Sequence, residues 1–230
     1  MTKLSRIFEL KYLEYKKKYN LQIKVDFSNQ GNKANAIKPE LVFISTDNFN
    51  IKEIMSEDIE LLYKKLWGDT RVMGFYGEKK PRSYDEVKLK MEYFIEIWRK
   101  KSPFSCFVVK NKEDQLVGAV IFNDYNKTYT DYHYPNSVYL SYLSATEFQG
   151  RRLAKEYIGS IVFGWSKYVV DNGYQLSDGR HFNKILATCD SENVKSIKIL
   201  EDFGFNILDK RQKFGSEKSF YQLPIILSKE

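Results

Sequence analysis

The sequence predicts an α+β protein with a mixed central sheet and flanking helices. Two observations predict this class. Strand-like runs and helical hydrophobic patterns follow one another along the chain, and one strand passes into a long helix across a glycine. The hydrophobic fraction of 43%, with 17 Tyr and 16 Phe, is enough for a substantial core. A length of 230 residues suits one domain with an extension, or one large domain.

The beginning of the chain predicts a helix followed by a linker. Residues 4–19 place apolar side chains at helical spacing, and residues 26–39 are polar and carry Gly and Pro. We therefore expect residues 1–40 to form an N-terminal helical and linker extension, and residues 41–230 to form the main domain.

The middle of the chain predicts short strands, two amphipathic helices and a β-hairpin. Ser83 and Glu86 match a capping box at the start of the second of these helices. Residues 67–82, just before that box, carry three Gly and indicate a loop. The predicted elements are strands at 41–45 and 49–54, helices at 56–66 and 83–98, and hairpin strands at 104–111 and 115–124.

The rest of the chain is organised around residues 137–156. Residues 137–144 predict a strand with two different faces, and a helical period begins at Gly150. A strand that becomes a helix across a glycine leaves the first helical N–H groups unpaired at the positive end of the helix dipole. This arrangement favours a phosphate-bearing ligand.

The C-terminal part predicts one more strand, a helix and two final strands. The strand is expected at 184–190, and Ser191 is the expected cap of the helix, which Gly204 ends. The last two strands are expected at 205–214 and 219–227.

The charge and cysteine content narrow the function classes. A net charge of +7 favours anionic ligands, but the basic residues are scattered among acids and no nucleic-acid motif is present. We expect no nucleic-acid partner. Cys106 and Cys189 lie in apolar runs and predict two buried thiols. With no signal peptide and no apolar run long enough to span a bilayer, we expect a cytoplasmic protein with no membrane span.

One short motif resembles a known family. Gln149, Gly150, Arg151, Arg152, Leu153 and Ala154 are similar to the Q/R-x-x-G-x-G/A signature with which GNAT acetyltransferases hold the pyrophosphate of coenzyme A. Arg152 stands where the family has Gly. Its side chain either displaces the ligand or turns aside and pairs with a phosphate.

A second motif resembles one branch of that family. Residues 187–205 are similar to the N-x-x-S-x-x-x-L-x-x-x-G-F motif of the RimJ/RimL-like branch, the ribosomal-protein N-terminal acetyltransferases, and the resemblance begins near residue 41. It implies a mostly antiparallel sheet with a splayed pair of strands at the cofactor site. It also implies acetyl-CoA as co-substrate, no metal, a primary amine of a protein N-terminus or small molecule as acceptor, and a monomer or homodimer.

The resemblance also implies site residues. Backbone N–H groups of residues 150–154 would hold the pyrophosphate, and Leu143 and Ser144 would bond the pantetheine arm and polarise the thioester carbonyl. Asn193 and Ser196 lie on one helix face and would face the cofactor. The alternatives are that Asn193 is a helix cap and Ser196 an ordinary helix residue. The implied cofactor-binding set is Leu143, Ser144, Gln149, Gly150, Arg151, Arg152, Leu153, Ala154, Asn193 and Ser196.

The chemistry implied is direct attack of a free amine on the thioester, which needs an oxyanion donor and an acid for the thiolate. Leu200 stands where many family members have the acidic Tyr. Ser144 and Tyr142 are therefore the candidate catalytic residues; the alternative is that both are plain strand residues. Glu147 and His133 are weaker candidates, and the base can be solvent.

Two other functions stay open at this point. A catalytically weak GNAT-like protein that binds acyl-CoA, or regulates or scaffolds, is favoured by Arg152 and by the missing acid and base. A nucleic-acid module is favoured only by the isoelectric point of about 9.1. Tyr76, Tyr84 and Trp98 are candidates for the acceptor pocket, with core packing as the alternative for Trp98.

Overall fold

The computed structural model describes residues 4–26, 42–124 and 134–226. Their strands are β1 (Gln22–Val25), β2 (Val42–Ser45), β3 (Phe49–Glu53), β4 (Cys106–Asn111), β5 (Leu116–Asn123), β6 (Ser137–Ser144), β7 (Lys184–Asp190), β8 (Asn206–Lys213) and β9 (Ser216–Pro224). Their α-helices are α1 (Arg6–Tyr19), α2 (Ile59–Leu62), α3 (Thr70–Met73), α4 (Tyr84–Arg99), α5 (Ala154–Gly159), α6 (Ser166–Asp171) and α7 (Val194–Phe203).

The strands form one nine-stranded sheet in the order β1-β2-β3-β4-β5-β6-β7-β9-β8. The β6–β7 pair is parallel and the other neighbours are antiparallel. The connection between β6 and β7 is a long helix, as a parallel pair requires. The α+β class with a mixed, mostly antiparallel sheet is therefore confirmed.

The β6–β7 connection is one continuous helix, which we call the central helix: α5, a π-helical segment at Ser160–Trp165, and α6. Its middle is buried on all sides, with Ile161, Val162 and Phe163 fully covered. A helix that is apolar all round belongs in a core. The central helix therefore fixes the position of the turn that precedes it.

Helices cover both faces of the sheet. On the face that we call the α5 face, side chains of β6 meet the central helix and α7, as Ser144 does with Tyr157. The opposite face, the α4 face, is covered by the helical region between residues 56 and 99; Tyr76 reaches Ser141 there. Because successive strand residues point to opposite faces, neighbouring residues of β6 serve different sides.

The N-terminal helix packs on the α5 face. Tyr15 lies 4.8 Å from the Phe163 ring, between centroids, and a Cβ added at Gly159 would lie 2.1 Å from the Tyr15 ring. Glycine at 159 therefore gives α1 its close approach. β1 extends the sheet by pairing with β2. The division into an extension of residues 1–40 and a domain from residue 41 stays a prediction.

Two local expectations are wrong. The cap of α7 is Asn193, whose Oδ1 accepts from the Ser196 N–H at 3.1 Å, and not Ser191. Residues 67–82 are not all loop, because α3 forms there with Asp69 as its cap. The capping box at Ser83 is confirmed.

Other sequence expectations are confirmed. Cys106 and Cys189 are free and buried, and the Trp98 side chain packs in the core. Within residues 4–26, 42–124 and 134–226, no helix is long and apolar enough to cross a membrane.

Candidate active site

The parallel strands β6 and β7 separate halfway along their length. They pair from Ser137 with Lys184 to Leu140 with Ala187, and the ladder stops there. Residues 141–144 and 188–190 therefore border an opening, which we call the β6–β7 gap. A strand edge without a partner presents backbone N–H and C=O groups to whatever enters beside it.

The register shows which backbone groups face this gap. Ala145 donates to Val117 O at 2.8 Å, and Leu143 lies opposite Ala119 in the same β5–β6 ladder. Because hydrogen-bonded pairs alternate along an antiparallel ladder, Leu143 points its backbone at β5. The backbones of Tyr142 and Ser144 then point into the gap. Gln149 Nε2 already donates to Ser144 O at 3.0 Å.

The turn between β6 and α5 leaves a run of donors free. None of the backbone N–H groups of residues 150–155 donates to an acceptor in the part of the chain that the structure describes. Gly150 and Arg152 both have positive φ, +77° and +61°. Arg152 therefore adopts the backbone shape that a glycine takes easily and that costs other residues about 1 kcal/mol. Its side chain is exposed and does not block the mouth of the helix.

Tyr142 reaches from β6 to α7 across the α5 face. Its hydroxyl lies 2.6 Å from Ser196 Oγ. Burial raises the pKa of Tyr142 above its ordinary value, although the hydrogen bond with Ser196 opposes that shift. The hydroxyl therefore stays protonated and remains a donor throughout the physiological range. Asn193 uses its Oδ1 to cap α7, and its amide nitrogen has no acceptor among the described residues.

Ser144 pairs with Tyr157, a residue that sequence reasoning missed. The two hydroxyl oxygens lie 2.5 Å apart, and burial raises the pKa of Tyr157 to about 12. Gly118 of β5 makes room for this arrangement, because a Cβ there would meet Leu143 O at 2.3 Å and Tyr157 Oη at 3.3 Å. Tyr157 fell in the apolar stripe of the central helix, which gave no sign of a polar role.

On the α4 face, a loop crosses the β6–β7 gap. Tyr76 Oη lies 3.4 Å from Ser141 Oγ on β6, and Lys79 Nζ lies 2.8 Å from Asp190 Oδ2 at the end of β7. Between them, Thr188 is exposed although its strand neighbours are buried. The gap is therefore open toward solvent beneath this loop.

Asp190 is the centre of a buried charge cluster. Lys79, Lys218, Ser216 and the Glu192 N–H all donate to its carboxylate, at 2.8, 2.9, 2.8 and 3.0 Å. Burial would raise the pKa of Asp190, but these donors outweigh it and hold the pKa well below the ordinary value. Sequence reasoning named none of the Asp190, Lys79 and Lys218 side chains as site residues.

The remaining candidates have other surroundings. Glu147 is exposed and pairs with Lys65 at 2.7 Å, Tyr84 is exposed, and His133 lies outside the described residues. The described residues hold no group of three or more His, Cys, Asp or Glu side chains that could hold a metal ion.

The donor set fits coenzyme A. A run of N–H groups without acceptors, at the positive end of a helix, suits a diphosphate. The open strand edge at Tyr142 and Ser144 suits an extended arm with amide groups. The turn and the strand edge are consecutive in the chain, so one long ligand can use both.

Comparison with known proteins agrees with this geometry. The family model of the GNAT acetyltransferase domain matches residues 48–206. No curated protein matches the chain by sequence. Among solved structures, the ribosomal-protein-S5-alanine acetyltransferase from Vibrio fischeri has a TM-score of 0.60 at 15% identity, covering 79% of this chain and 96% of that chain.

Two further solved structures contain coenzyme A. The spermidine N-acetyltransferase from Vibrio cholerae, in complex with CoA and spermine, has a TM-score of 0.57 at 17% identity, covering 76% of this chain and 95% of that chain. RimL, a ribosomal-protein alpha-N-acetyltransferase in complex with coenzyme A, has a TM-score of 0.58 at 11% identity, covering 78% and 95%.

The chain belongs to the GNAT acetyltransferase family, since the family model covers more than half of it. It is an N-acetyltransferase that takes its acetyl group from acetyl-CoA.

Proposed function

We propose that this chain acetylates a primary amine, on a protein N-terminus or a small molecule, by direct attack of the amine on the thioester. The observation that carries the proposal is the β6–β7 gap next to the unpaired N–H groups of residues 150–155. We also propose that the chain belongs to the RimJ/RimL-like branch, because residues 187–205 keep that branch's motif. Its free thiols suit a cytoplasmic location.

The residues divide the work of binding. The N–H groups of residues 150–154 would hold the diphosphate, and the exposed guanidinium of Arg152 would pair with a phosphate. The register gives the open backbone edge to Tyr142 and Ser144 rather than to Leu143. Asn193 would donate its free amide N–H to the pantetheine arm, while Ser196 orients the Tyr142 hydroxyl.

Acetyl-CoA supplies an activated acetyl group and a thiolate leaving group. Tyr142 is the donor best placed to stabilise that thiolate, because its proton is retained by burial. An ordinary thiol has a pKa of about 8.5, so complete transfer of the Tyr142 proton is uphill by about 1.4 kcal/mol for each pKa unit between them. Tyr142 therefore acts by donating a hydrogen bond, and Ser144 with Tyr157 forms the neighbouring hydroxyl pair.

No carboxylate beside the gap is free to act as the base. Among the described acids there, Glu147 is paired with Lys65 and Asp190 with two lysines. The amine would then lose its proton to solvent before attack. Rate should follow the fraction of acceptor amine that is unprotonated.

The experiment is turnover of acetyl-CoA with a panel of peptides and small amines, followed by release of the free thiol. We expect thiol release that depends on the acceptor. Tight acetyl-CoA binding without thiol release for any acceptor would favour the regulatory alternative. Absence of acetyl-CoA binding would contradict the proposal.

A further inference from the structure

The α4 face of the β6–β7 gap carries an uneven balance of charge. By the register of β6, β7 and β9, the side chains of Ser141, Thr188, Asp190 and Lys218 share this face. Lys79 joins them from the loop between α3 and α4. Lys79 and Lys218 both bond to the one carboxylate of Asp190, so this cluster carries a net charge of +1.

The two lysines differ in exposure. The Lys218 side chain is 4% exposed and that of Lys79 is 31% exposed. The excess positive charge is therefore presented to solvent by Lys79. An ammonium has three N–H donors, and the contact with Asp190 occupies one of them.

Asp190 does not depend on Lys79 for its partners. Without Lys79 it keeps Lys218, the Ser216 hydroxyl and the Glu192 N–H. Lys79 can therefore turn toward an incoming ligand without leaving a buried carboxylate unpaired, which is the step that would be costly.

The position of Lys79 relates it to the acceptor. Tyr76 contacts β6 and Lys79 contacts β7, so the loop that joins them bridges the gap on the α4 face. An amine that approaches a thioester lodged between β6 and β7 from this face passes Thr188 and the Lys79 ammonium.

We propose that the acceptor is an amine with a carboxylate close to it, and that Lys79 binds this carboxylate and determines specificity. The inference rests on the proposed function. A polycationic acceptor would meet Lys79 and Lys218, and like charges at a binding site oppose association. The acids nearby do not offset this, because Asp190 is bonded to both lysines and Asp209 to Arg211.

The test compares acceptors that differ only in charge. One pair is Ala-Asp-Ala-amide and Ala-Asn-Ala-amide, and the other is alanine and alaninamide, which separates an acidic peptide from a free amino acid. We expect wild type to prefer the anionic member of at least one pair by roughly tenfold in kcat/KM, the size of one charge-assisted hydrogen bond. Lys79→Gln should bring the ratio near one, and Lys79→Arg should restore much of it.

The matched control is Lys88→Gln, which removes one charge from the exposed surface of α4, where Lys88 pairs weakly with Glu92. It should leave the wild-type ratio intact. A wild-type ratio near one in both pairs, or an equal loss in Lys88→Gln, would overturn the inference, since the latter would mean only a long-range field.

Binding of the acetylated products together with coenzyme A, measured by calorimetry, separates this inference from the proposed function. If no acceptor turns over but the anionic product still binds more tightly in a Lys79-dependent way, the anion site stands and the proposed function fails. If acceptors turn over without any charge preference, the function stands and the inference fails. No preference in binding and no turnover reject both.

Discussion

The two faces of the β6–β7 gap are built in opposite ways. On the α5 face, neutral hydroxyls pair between regular elements: Tyr142 with Ser196 and Ser144 with Tyr157. On the α4 face, the Lys79 loop joins the strands through a charge cluster around Asp190. The difference indicates that the scaffold fixes the side suited to a coenzyme, whereas a loop controls the side that selects the acceptor.

The largest effect should come from the charged cluster. Asp190→Asn leaves the buried Lys218 ammonium without its carboxylate, and we expect the free energy of unfolding to fall by roughly 3–5 kcal/mol. Urea denaturation measures this. Asp209→Asn is the control, because the Asp209 side chain is far more exposed and should cost less than about 1 kcal/mol. Equal losses would show that burial does not distinguish the two faces.

The same cluster predicts an acid dependence. The pKa of Asp190 is below its ordinary value in the folded protein, so its stabilisation is fully present above the unfolded pKa of about 3.9. It is lost as pH falls from there through the folded pKa. Asp190→Asn should therefore flatten the decline of stability in that acid range. An unchanged acid decline in the variant would contradict the assignment.

On the α5 face, the effect should appear in turnover and not in stability. Tyr142→Phe removes the hydroxyl that would stabilise the thiolate, and we expect kcat to fall by roughly 10–100-fold with little change in acceptor KM. Steady-state kinetics with saturating acetyl-CoA measures this. Ser196→Ala keeps the Tyr142 hydroxyl and should have a smaller effect. A change in acceptor preference in Tyr142→Phe would mean that the two faces are not separate.

The smallest effect should come from Arg152. Its side chain is exposed, so a phosphate pair there is worth about 0.2–1 kcal/mol. Arg152→Gly should weaken coenzyme A binding by about two- to fivefold, with the difference shrinking as salt rises. Stability should not fall, because Gly suits the positive φ. Tighter binding by the variant would mean that the side chain obstructs the site.

Elements with a strong period could be predicted from the sequence. The strand at residues 137–144 and the helix behind Ser83 were expected because their patterns are local. β1 was missed, since four half-exposed residues at a sheet edge give little contrast. The α7 cap was misplaced because Ser191 and Asn193 both suit a cap by residue type.

The site was only half predictable. The turn at residues 149–154 and the N-x-x-S motif are contiguous in sequence and were recognised. The Lys79–Asp190 contact joins residues far apart in the chain, and no local pattern reports such a pairing. Tyr157 was hidden for a different reason: it occupies a position of the apolar stripe, and only its neighbour on β6 gives it a polar role.

The central claim is that the free N–H groups before α5 grip a diphosphate whose attached arm lies in the β6–β7 gap. Titration of the uniformly ¹⁵N-labelled protein with coenzyme A, followed through its amide resonances, tests this most directly. The account predicts saturable shifts at residues 150–154, together with Tyr142 and Ser144, at one common affinity. Saturable binding that leaves these amides unmoved would contradict it.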